Sequence, residues 1–368
     1  MLNRPSFLDY FSDLKDPRSS INLLHPVDEI LLLTLTAVIS GSEGFKDIEL
    51  FGKCKIDFLK TFLLFKNGIP SDDTLRRFFT AVDPNQFQEL FITWVESFQF
   101  DLKGQVIAID GKTSRHSFDH NKKPLHLLSP FVSQARIVLG QQATTQKSNE
   151  ITAIPELLDL LDIKGATITI DAMGCQKNIA KKIKEKEADY ILAVKANQSN
   201  LQKDIEQKFK QKTSNKEVKS AFTVDNAHGR TEIRKIVVNS SIDELKSIHD
   251  WEDLSSIIAV HSTTVRKDKV SSEIRYYISS LKFDQPEKLL SKIRDHWGIE
   301  NSLHWVLDMS YEDDLSRIRK GNAANNIAIV RHISLNMIQN VKKKGESIKR
   351  LRKSAGWSHS KLKEILLQ

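Results

Sequence analysis

Two short apolar runs, each ending on an aspartate, constrain the fold of this chain most strongly. The run VIAI precedes Asp110 and the run TITI precedes Asp171. Both runs are short and rich in β-branched residues, which is typical of strands buried on both faces of a sheet. Parallel neighbouring strands end at one edge, where open α/β sheets place their ligands. The pattern therefore predicts an α/β fold with both carboxylates in one site.

The same pattern divides the chain into five segments. Residues 1–100 are predicted to form a helical domain, which either binds DNA or serves only as a structural packing module. Residues 101–196 are predicted to follow the order β-β-β-α-β-α-β. We expect a mixed sheet flanked by helices, interrupted by a β-rich insertion at 197–280. A further helix is predicted near the start of residues 281–340, and residues 341–368 form a basic tail.

Carboxylates grouped at a sheet edge suit hard cations such as Mg²⁺ or Mn²⁺. Taken alone, each aspartate could instead begin a turn or cap the next helix. A two-metal site needs a third carboxylate, for which the best candidate is Glu300, in the segment DHWGIENSLHW. Helical spacing puts His296, Glu300 and His304 on one face, which leaves a zinc site or an ordinary polar face as alternatives. The rival sources of a third carboxylate are Glu312, Asp313 and Asp314.

The charge of the chain indicates the class of its binding partner, and its cysteine content and apolar runs indicate the compartment in which it works. The formal net charge is +8, and residues 341–368 hold nine Lys and Arg against two Glu. Such an excess favours a nucleic acid partner, although a solvated terminus explains the tail equally well. Two cysteines give no disulfide framework, and the longest apolar run, at 30–39, is too short to cross a membrane. We therefore expect a cytoplasmic protein.

Several segments together resemble the H-repeat-associated transposases of bacterial insertion sequences, a branch of the DDE superfamily with an RNase H-like fold. The resemblance covers nearly the whole chain. It rests on AIDGKTSR (108–115), TIDAMGCQK (169–177), YILAVKANQ (190–198), HGRTEIR (228–234) and the long run at 293–338. The family's N-terminal helical segment is matched by DPR (16–18) and PSDDTLRRFF (70–79).

The resemblance implies a catalytic core that the insertion interrupts before its final helix, which lies with the segment after it in residues 281–340. It implies a catalytic triad of Asp110, Asp171 and Glu300 that holds two Mg²⁺ or Mn²⁺ ions. It implies cleavage and strand transfer at the ends of a DNA element by a homodimer on double-stranded DNA, in the bacterial cytoplasm at the nucleoid. The DNA would comprise the terminal inverted repeats and the target. Related transposases carry a Tyr-Arg-Glu-Lys signature around the third acid. Here His296 stands where Arg is usual and Leu307 where Lys is usual. Candidates to supply the missing charge are Arg294, Arg319 and Lys320.

Basic side chains near these motifs are candidate DNA contacts, with a solvated surface charge as the alternative for each. They are Lys112, Arg115, Lys195, His228, Arg230, Arg234, Arg294, His296 and His304. Two other functions also fit the sequence. One is a catalytically silent DNA-binding protein derived from a transposase, and the other an RNase H-like nuclease that cuts without strand transfer.

Overall fold

A computed structural model of the chain describes residues 5–19, 23–118, 123–144, 149–211, 218–227, 229–243, 245, 250–267, 269–282 and 285–367. Within these residues, ten strands form one mixed sheet in the order β3-β2-β1-β5-β6-β10-β9-β8-β7, with β4 paired to β2. The strands are β1 (Val106–Thr113), β2 (His126–Val132), β3 (Ile137–Val138), β4 (Gln142–Thr144), β5 (Thr167–Ile170), β6 (Asp189–Val194), β7 (Val218–Ala227), β8 (Arg230–Asn239), β9 (Ser256–Arg266) and β10 (Lys269–Ser279).

Helices surround the sheet and account for the N-terminal and C-terminal parts of the chain. They are α1 (Phe7–Tyr10), α2 (Val27–Ile39), α3 (Phe45–Leu59), α4 (Asp72–Ala81), α5 (Pro84–Glu96), α6 (Glu150–Leu160), α7 (Lys177–Glu185), α8 (Ser199–Lys210), α9 (Pro286–His296), α10 (Trp305–Tyr311), α11 (Ala323–Val341), α12 (Ile348–Trp357) and α13 (His359–Leu366). Ser71 is the N-cap of helix α4, and its side chain accepts a hydrogen bond from the Thr74 amide.

The centre of the sheet is parallel and fully covered. Strands β1, β5 and β6 run parallel to one another, and β2 lies antiparallel on the other side of β1. Every residue of β5 and the first four of β1 are buried, so both faces of these strands carry packed structure. The expected mixed α/β sheet and its order of elements are confirmed, with the short strand β4 as an addition.

The predicted β-rich insertion extends this sheet. Strand β10 pairs antiparallel with β6, with Tyr276 opposite Val194, and β9, β8 and β7 follow in turn. Helix α9 packs its apolar residues Leu289, Leu290 and Ile293 into one cluster with side chains of β8, β9 and β10. The helix that leads toward Glu300 is therefore held by the strands of the insertion as well as by the core.

The C-terminal segment, for which a solvated tail was one expectation, forms two packed helices. Buried residues of α12 and α13, including Leu351, Ala355, Leu362 and Ile365, belong to a hydrophobic cluster that also contains side chains of α2 and α11. A disordered tail is therefore wrong for these residues. Among the described residues, no helix combines the length and apolar character that a bilayer span requires.

Candidate active site

The two aspartates that follow the apolar runs occupy matching positions on neighbouring strands. In the parallel pair of β1 and β5, Ile109 lies opposite Ile170, so the next residue on each side is Asp110 or Asp171. Both side chains are partly exposed, whereas the isoleucines before them are buried. The strand register thus delivers both carboxylates to one edge of the sheet, as the sequence pattern predicted.

Asp171 also begins a turn, which was the alternative interpretation of its position. Its Oδ1 accepts hydrogen bonds from the Met173 and Gly174 amides at 2.9 and 3.4 Å. Residues Ala172–Gly174 form a single 3₁₀ turn before α7. Both bonds use the same oxygen, and Oδ2 takes no part in this cap. The capping role and a ligand role for Asp171 are therefore compatible.

Glu300 reaches the first aspartate from a distant part of the sequence. It begins a π-helical turn, Glu300–His304, between α9 and α10, and such turns are frequent at functional sites. One ligand atom each from Asp110, Glu300 and His304 lies within 4.8 Å of the other two. His304 Nδ1 is 3.7 Å from Asp110 Oδ2 and 3.5 Å from Glu300 Oε2. This geometry joins the first and third predicted acids.

The environment of these acids shifts their pKa values in opposite directions. Burial raises the pKa of Asp110 to about 6, while His304 and the Gly111 amide act against that rise and the nearby Glu300 and Asp171 carboxylates add to it. A hydrogen bond with His304 is the main reason that the pKa of Glu300 is lowered. Three carboxylates thus approach one another around the largely buried Asp110, which is an arrangement that a bound cation stabilises.

The donor set fits a divalent cation. Asp110 and Glu300 offer carboxylate oxygens, the ligands that Mg²⁺ and Mn²⁺ prefer. His304 is buried, and its Nε2 has no hydrogen-bond partner among the described residues, while Nδ1 faces the carboxylates. Asp171 lies outside this group of three but is close enough to influence the pKa of Asp110. The position of the acids therefore fits the metal ions that the family resemblance implies.

His296 does not join this group, so the zinc site on one helix face is wrong. Its Nδ1 lies 3.0 Å from the Thr169 hydroxyl on β5, and burial lowers its pKa. A cavity of about 110 Å³ beside it is lined in part by Asp171, Lys195 and Trp297. His296 and Lys195 therefore flank the second aspartate rather than the first.

Lys112 lies in a buried cluster of aspartates instead of at the surface. Its Nζ is 2.7 Å from Asp308 Oδ1, 3.0 Å from Asp313 Oδ2 and 3.1 Å from Asp314 Oδ1. Asp313 is also paired with Arg331. Burial alone would raise the pKa of Asp313, but Arg331 and Lys112 outweigh it and lower the value to about 2. The DNA contact predicted for Lys112 is therefore corrected, because its ammonium is buried and already neutralised.

The same cluster excludes the rival source of a third carboxylate. Asp313 and Asp314 are bound to Lys112, and neither shares a site with Asp110 in the described structure. Glu312, the remaining rival, lies beside Glu43 instead. The sequence analysis missed Asp308, although it follows His304 at the helical spacing of four that brings side chains to one face. Leu307, where the family signature has Lys, is buried beside this cluster.

The remaining basic candidates lie around the site, and most are ion-paired. Arg115 is exposed and lies near Asp314, with Nε 3.4 Å from Oδ2. A cleft of about 720 Å³ between α9 and the strands of the insertion is lined in part by Arg230, Arg234 and Arg294. Each of these three is paired with a carboxylate of that cleft. His228 lies outside the described residues.

Two further basic residues have specific contacts. Arg275 of β10 lines both this cleft and the cavity beside His296, and its guanidinium carbon lies 4.9 Å from the Trp297 ring centroid. No signal in the sequence distinguishes Arg275 from other basic residues on strands. Arg319, a candidate for the missing signature charge, donates from Nε to the His116 carbonyl at 2.8 Å, so it supports a loop near β1.

Comparison with known proteins shows to which family the chain belongs. The family model described as Transposase DDE domain matches residues 101–337, and the one described as DDE_Tnp_1-associated matches residues 8–95. The chain belongs to the DDE transposase family. It is 44% identical to "Putative transposase YncI" of Escherichia coli O157:H7, over 98% of this chain and 94% of that protein.

A second relative of this DDE transposase is "H repeat-associated putative transposase YhhI" of Escherichia coli strain K12. It is 41% identical over 98% of this chain and 97% of that protein. The family expected from the sequence motifs is thereby confirmed. A solved piggyBac transposase synaptic complex with hairpin DNA is 12% identical over 97% of this chain and 76% of that chain. Its TM-score of 0.42 is too low to carry an argument.

Proposed function

We propose that this DDE transposase cleaves DNA strands at the ends of an insertion sequence and joins them to target DNA, with Asp110, Asp171 and Glu300 as its catalytic acids. The register of β1 and β5 is the observation that supports the proposal most, because it aligns two acids on adjacent parallel strands. The approach of Glu300 to Asp110 from a segment about 190 residues away supports it further. Membership of the family supports the class of reaction.

The three acids would hold two divalent ions, Mg²⁺ or Mn²⁺. Such ions activate a water or a 3′-hydroxyl as the nucleophile and stabilise the leaving 3′-oxygen. The residues of the chain fix the geometry. The buried strands β1 and β5 hold the two aspartates rigidly, and the His304 imidazole orients Asp110 and Glu300. The Asp171 cap keeps its carboxylate aligned with the turn that follows β5.

Double-stranded DNA would be held next to these acids by basic side chains that lie at the same edge of the sheet. Lys195 is exposed and shares a cavity with Asp171 and His296, so its ammonium can bind a phosphate oxygen near the second acid. Arg230, Arg234 and Arg294 can contribute only after exchanging carboxylate partners for phosphates.

Cutting two element ends together requires a homodimer on DNA. We place the activity in the bacterial cytoplasm, at the nucleoid.

The test is cleavage of a labelled duplex that carries the DNA flanking this gene, in Mg²⁺, in Mn²⁺ and in EDTA. We expect metal-dependent nicking at a defined end and subsequent joining to a target plasmid. Both should be abolished in Asp110→Asn and Glu300→Gln, because either change removes a negative ligand. Glu312→Gln, which removes the acid beside Glu43 and none of the triad, is the matched control and should retain both steps.

Each alternative function gives a different result in this assay. Tight DNA binding without cleavage in any metal identifies a silent DNA-binding protein. Cleavage that never leads to joining identifies a nuclease. If Glu300→Gln cuts as well as the wild type, Glu300 is not the third acid and that part of the proposal fails.

A further inference from the structure

One face of α12 carries positive charge that has no acidic partner. Lys349, Arg350 and Lys353 are exposed, and no ion pair involves them in the part of the chain that the structure describes. Trp357, at the end of the same helix, is 80% exposed. Residues spaced by four lie along one side of a helix, so Lys349, Lys353 and Trp357 form a stripe with Arg350 beside it. We call these four residues the α12 surface.

The opposite face fixes the orientation of the α12 surface. Leu351, Arg352 and Ala355 are buried. The guanidinium of Arg352 donates two hydrogen bonds to the Val38 carbonyl, at 3.1 and 2.7 Å, and lies 4.0 Å from the centroid of the Tyr311 ring. One arginine of the basic segment thus has a structural role, and it holds the helix so that the other cations point away from the core.

Helix stability does not explain the position of these cations. Lys349 and Arg350 lie in the first turn of α12, and no acidic residue occupies that turn. Cations near a helix N-terminus face the positive end of the helix dipole and are mildly destabilising there. An indole as exposed as that of Trp357 also contributes little to the fold, because most of its apolar surface remains in water. The composition of the α12 surface therefore indicates a binding role.

The cationic cleft beside α9 differs from the α12 surface in this respect. Its arginines are neutralised by acids of the cleft itself, as in the pairs Arg230 with Glu232, Arg275 with Glu273 and Arg294 with Asp225. Phosphates entering the cleft must displace carboxylates. Phosphates at the α12 surface displace only water and small ions, which favours binding through counterion release. An aromatic ring next to such cations can pack on a base or sugar.

We propose that the α12 surface binds the backbone of the duplex on which the catalytic acids act; this inference rests on the proposed function. The distance between the catalytic acids and α12 is short enough for one duplex to contact both. Tyr311, against which Arg352 packs, lies eleven residues after Glu300 along a continuous helical path, or about 16 Å at 1.5 Å per residue. The α12 surface lies across the helix from Arg352, about 10 Å farther. The sum is still shorter than the roughly 34 Å of one duplex turn, so a duplex seated at the acids can extend to the α12 surface.

The experiment measures binding of a fluorescent duplex of unrelated sequence by anisotropy at several salt concentrations. We compare the wild type with the triple variant Lys349→Gln, Arg350→Gln, Lys353→Gln. The slope of log K against log salt should fall in magnitude by 2 to 3, since each phosphate contact contributes about 0.9. The matched control removes three exposed lysines elsewhere (Lys103→Gln, Lys203→Gln, Lys210→Gln) and should keep the wild-type slope.

A single variant, Trp357→Ala, tests the aromatic part of the surface. It should weaken DNA binding at least threefold at every salt concentration while leaving the salt slope unchanged, because it removes no charge. Unfolding curves of all variants are recorded, and they should match the wild type because the side chains are exposed.

Three results would overturn the inference. One is an unchanged slope in the α12 triple variant, and another is an equal fall in the control, which reports net charge alone. The third is that the α12 triple variant loses binding to phosphatidylserine vesicles while its binding to DNA is unchanged, which assigns the α12 surface to a membrane. A wild-type protein that neither binds nor cuts DNA overturns the proposed function instead. If the wild type cuts DNA and the α12 variant keeps its slope, only this inference fails.

Discussion

At the scale of single residues, close packing constrains Gly111, the glycine that follows the first of the proposed catalytic aspartates. A Cβ at Gly111 would clash with the side chains of His126 and Glu150. These two side chains are buried and joined by a 2.6 Å contact between His126 Nε2 and Glu150 Oε1. The Thr113 hydroxyl holds the other ring nitrogen at 2.8 Å. Gly111 therefore allows a buried polar pair to pack directly behind Asp110.

We expect Gly111→Ala to lower the free energy of unfolding by about 2 kcal/mol, the usual range for overpacking. It should also reduce the cleavage rate on the order of a hundredfold, because small displacements of a catalytic group are costly. Chemical denaturation and the cleavage assay measure the two effects. Gly44→Ala is the control for a Cβ in open space, since a Cβ there meets no atom within 4 Å. Because Gly44 is the N-cap of α3, this variant should lose about 0.5 kcal/mol through weaker capping and keep the wild-type cleavage rate. Equal effects of the two variants would show that no close approach constrains Gly111.

At the scale of elements, an ion cluster ties the end of β1 to the helices that follow Glu300. Lys112 on β1 contacts Asp308 of α10 and Asp313 of the next turn, and Arg331 of α11 also binds Asp313. Lys112 is two residues from Asp110, and Asp308 is eight from Glu300. The cluster therefore fixes the distance between the first and third acids.

Replacing Lys112 by Met should remove the cation that Asp308, Asp313 and Asp314 share, leaving Arg331 at Asp313 and the exposed Arg115 at Asp314. We expect the free energy of unfolding to fall by about 3 kcal/mol, as when one partner of a buried pair is removed, because the three carboxylates then repel one another with less compensation. Their ligand atoms lie within 4.8 Å of one another, so we also expect Mn²⁺ to raise the melting temperature of the variant more than that of the wild type. Lys112→Arg should restore most of the stability. Differential scanning calorimetry with and without Mn²⁺ measures both effects.

A surface ion pair provides the control for Lys112. Lys164 is paired with Glu187 at 2.8 Å, and both side chains are largely exposed, so Lys164→Met should leave the melting temperature unchanged. If Lys112→Met also left the melting temperature unchanged, the cluster would have no role in connecting β1 to α10.

Sequence patterns predicted the elements better than the contacts between them. The runs before Asp110 and Asp171 identified β1 and β5, because strands buried on both faces leave a continuous apolar signal. Periodicity also suggested Glu300 and His304 as one face. The acidic partners of Lys112 lie about 200 residues away in the sequence, so no local pattern indicates them. From the sequence alone, Lys112 is therefore predicted to contact DNA. The basic composition of residues 341–368 likewise gives no indication that one face of α12 is buried.

At the scale of the whole molecule, one hydrophobic cluster runs from Phe7 in the N-terminal helices to Leu366 in α13 and includes the strands that carry the acids. Helix α11 is its centre, and Asn336 on that helix bonds both the amide and the carbonyl of Val138 in β3. The N-terminal helices, the sheet and the C-terminal helices therefore pack as one unit. Charges exposed on α12 and acids at the sheet edge are held in a fixed relation by that core.

The central claim is that Asp110 is a metal ligand in the reaction, and a thiolate replacement tests it most directly. Asp110→Cys should cleave the duplex at less than a hundredth of the wild-type rate in Mg²⁺, because Mg²⁺ prefers hard oxygen ligands. In Mn²⁺, which accepts sulfur more readily, a substantial part of the activity should return, whereas the wild type should cut in both metals. An Asp110→Cys variant that is equally inactive in both metals, or fully active in Mg²⁺, would contradict the account.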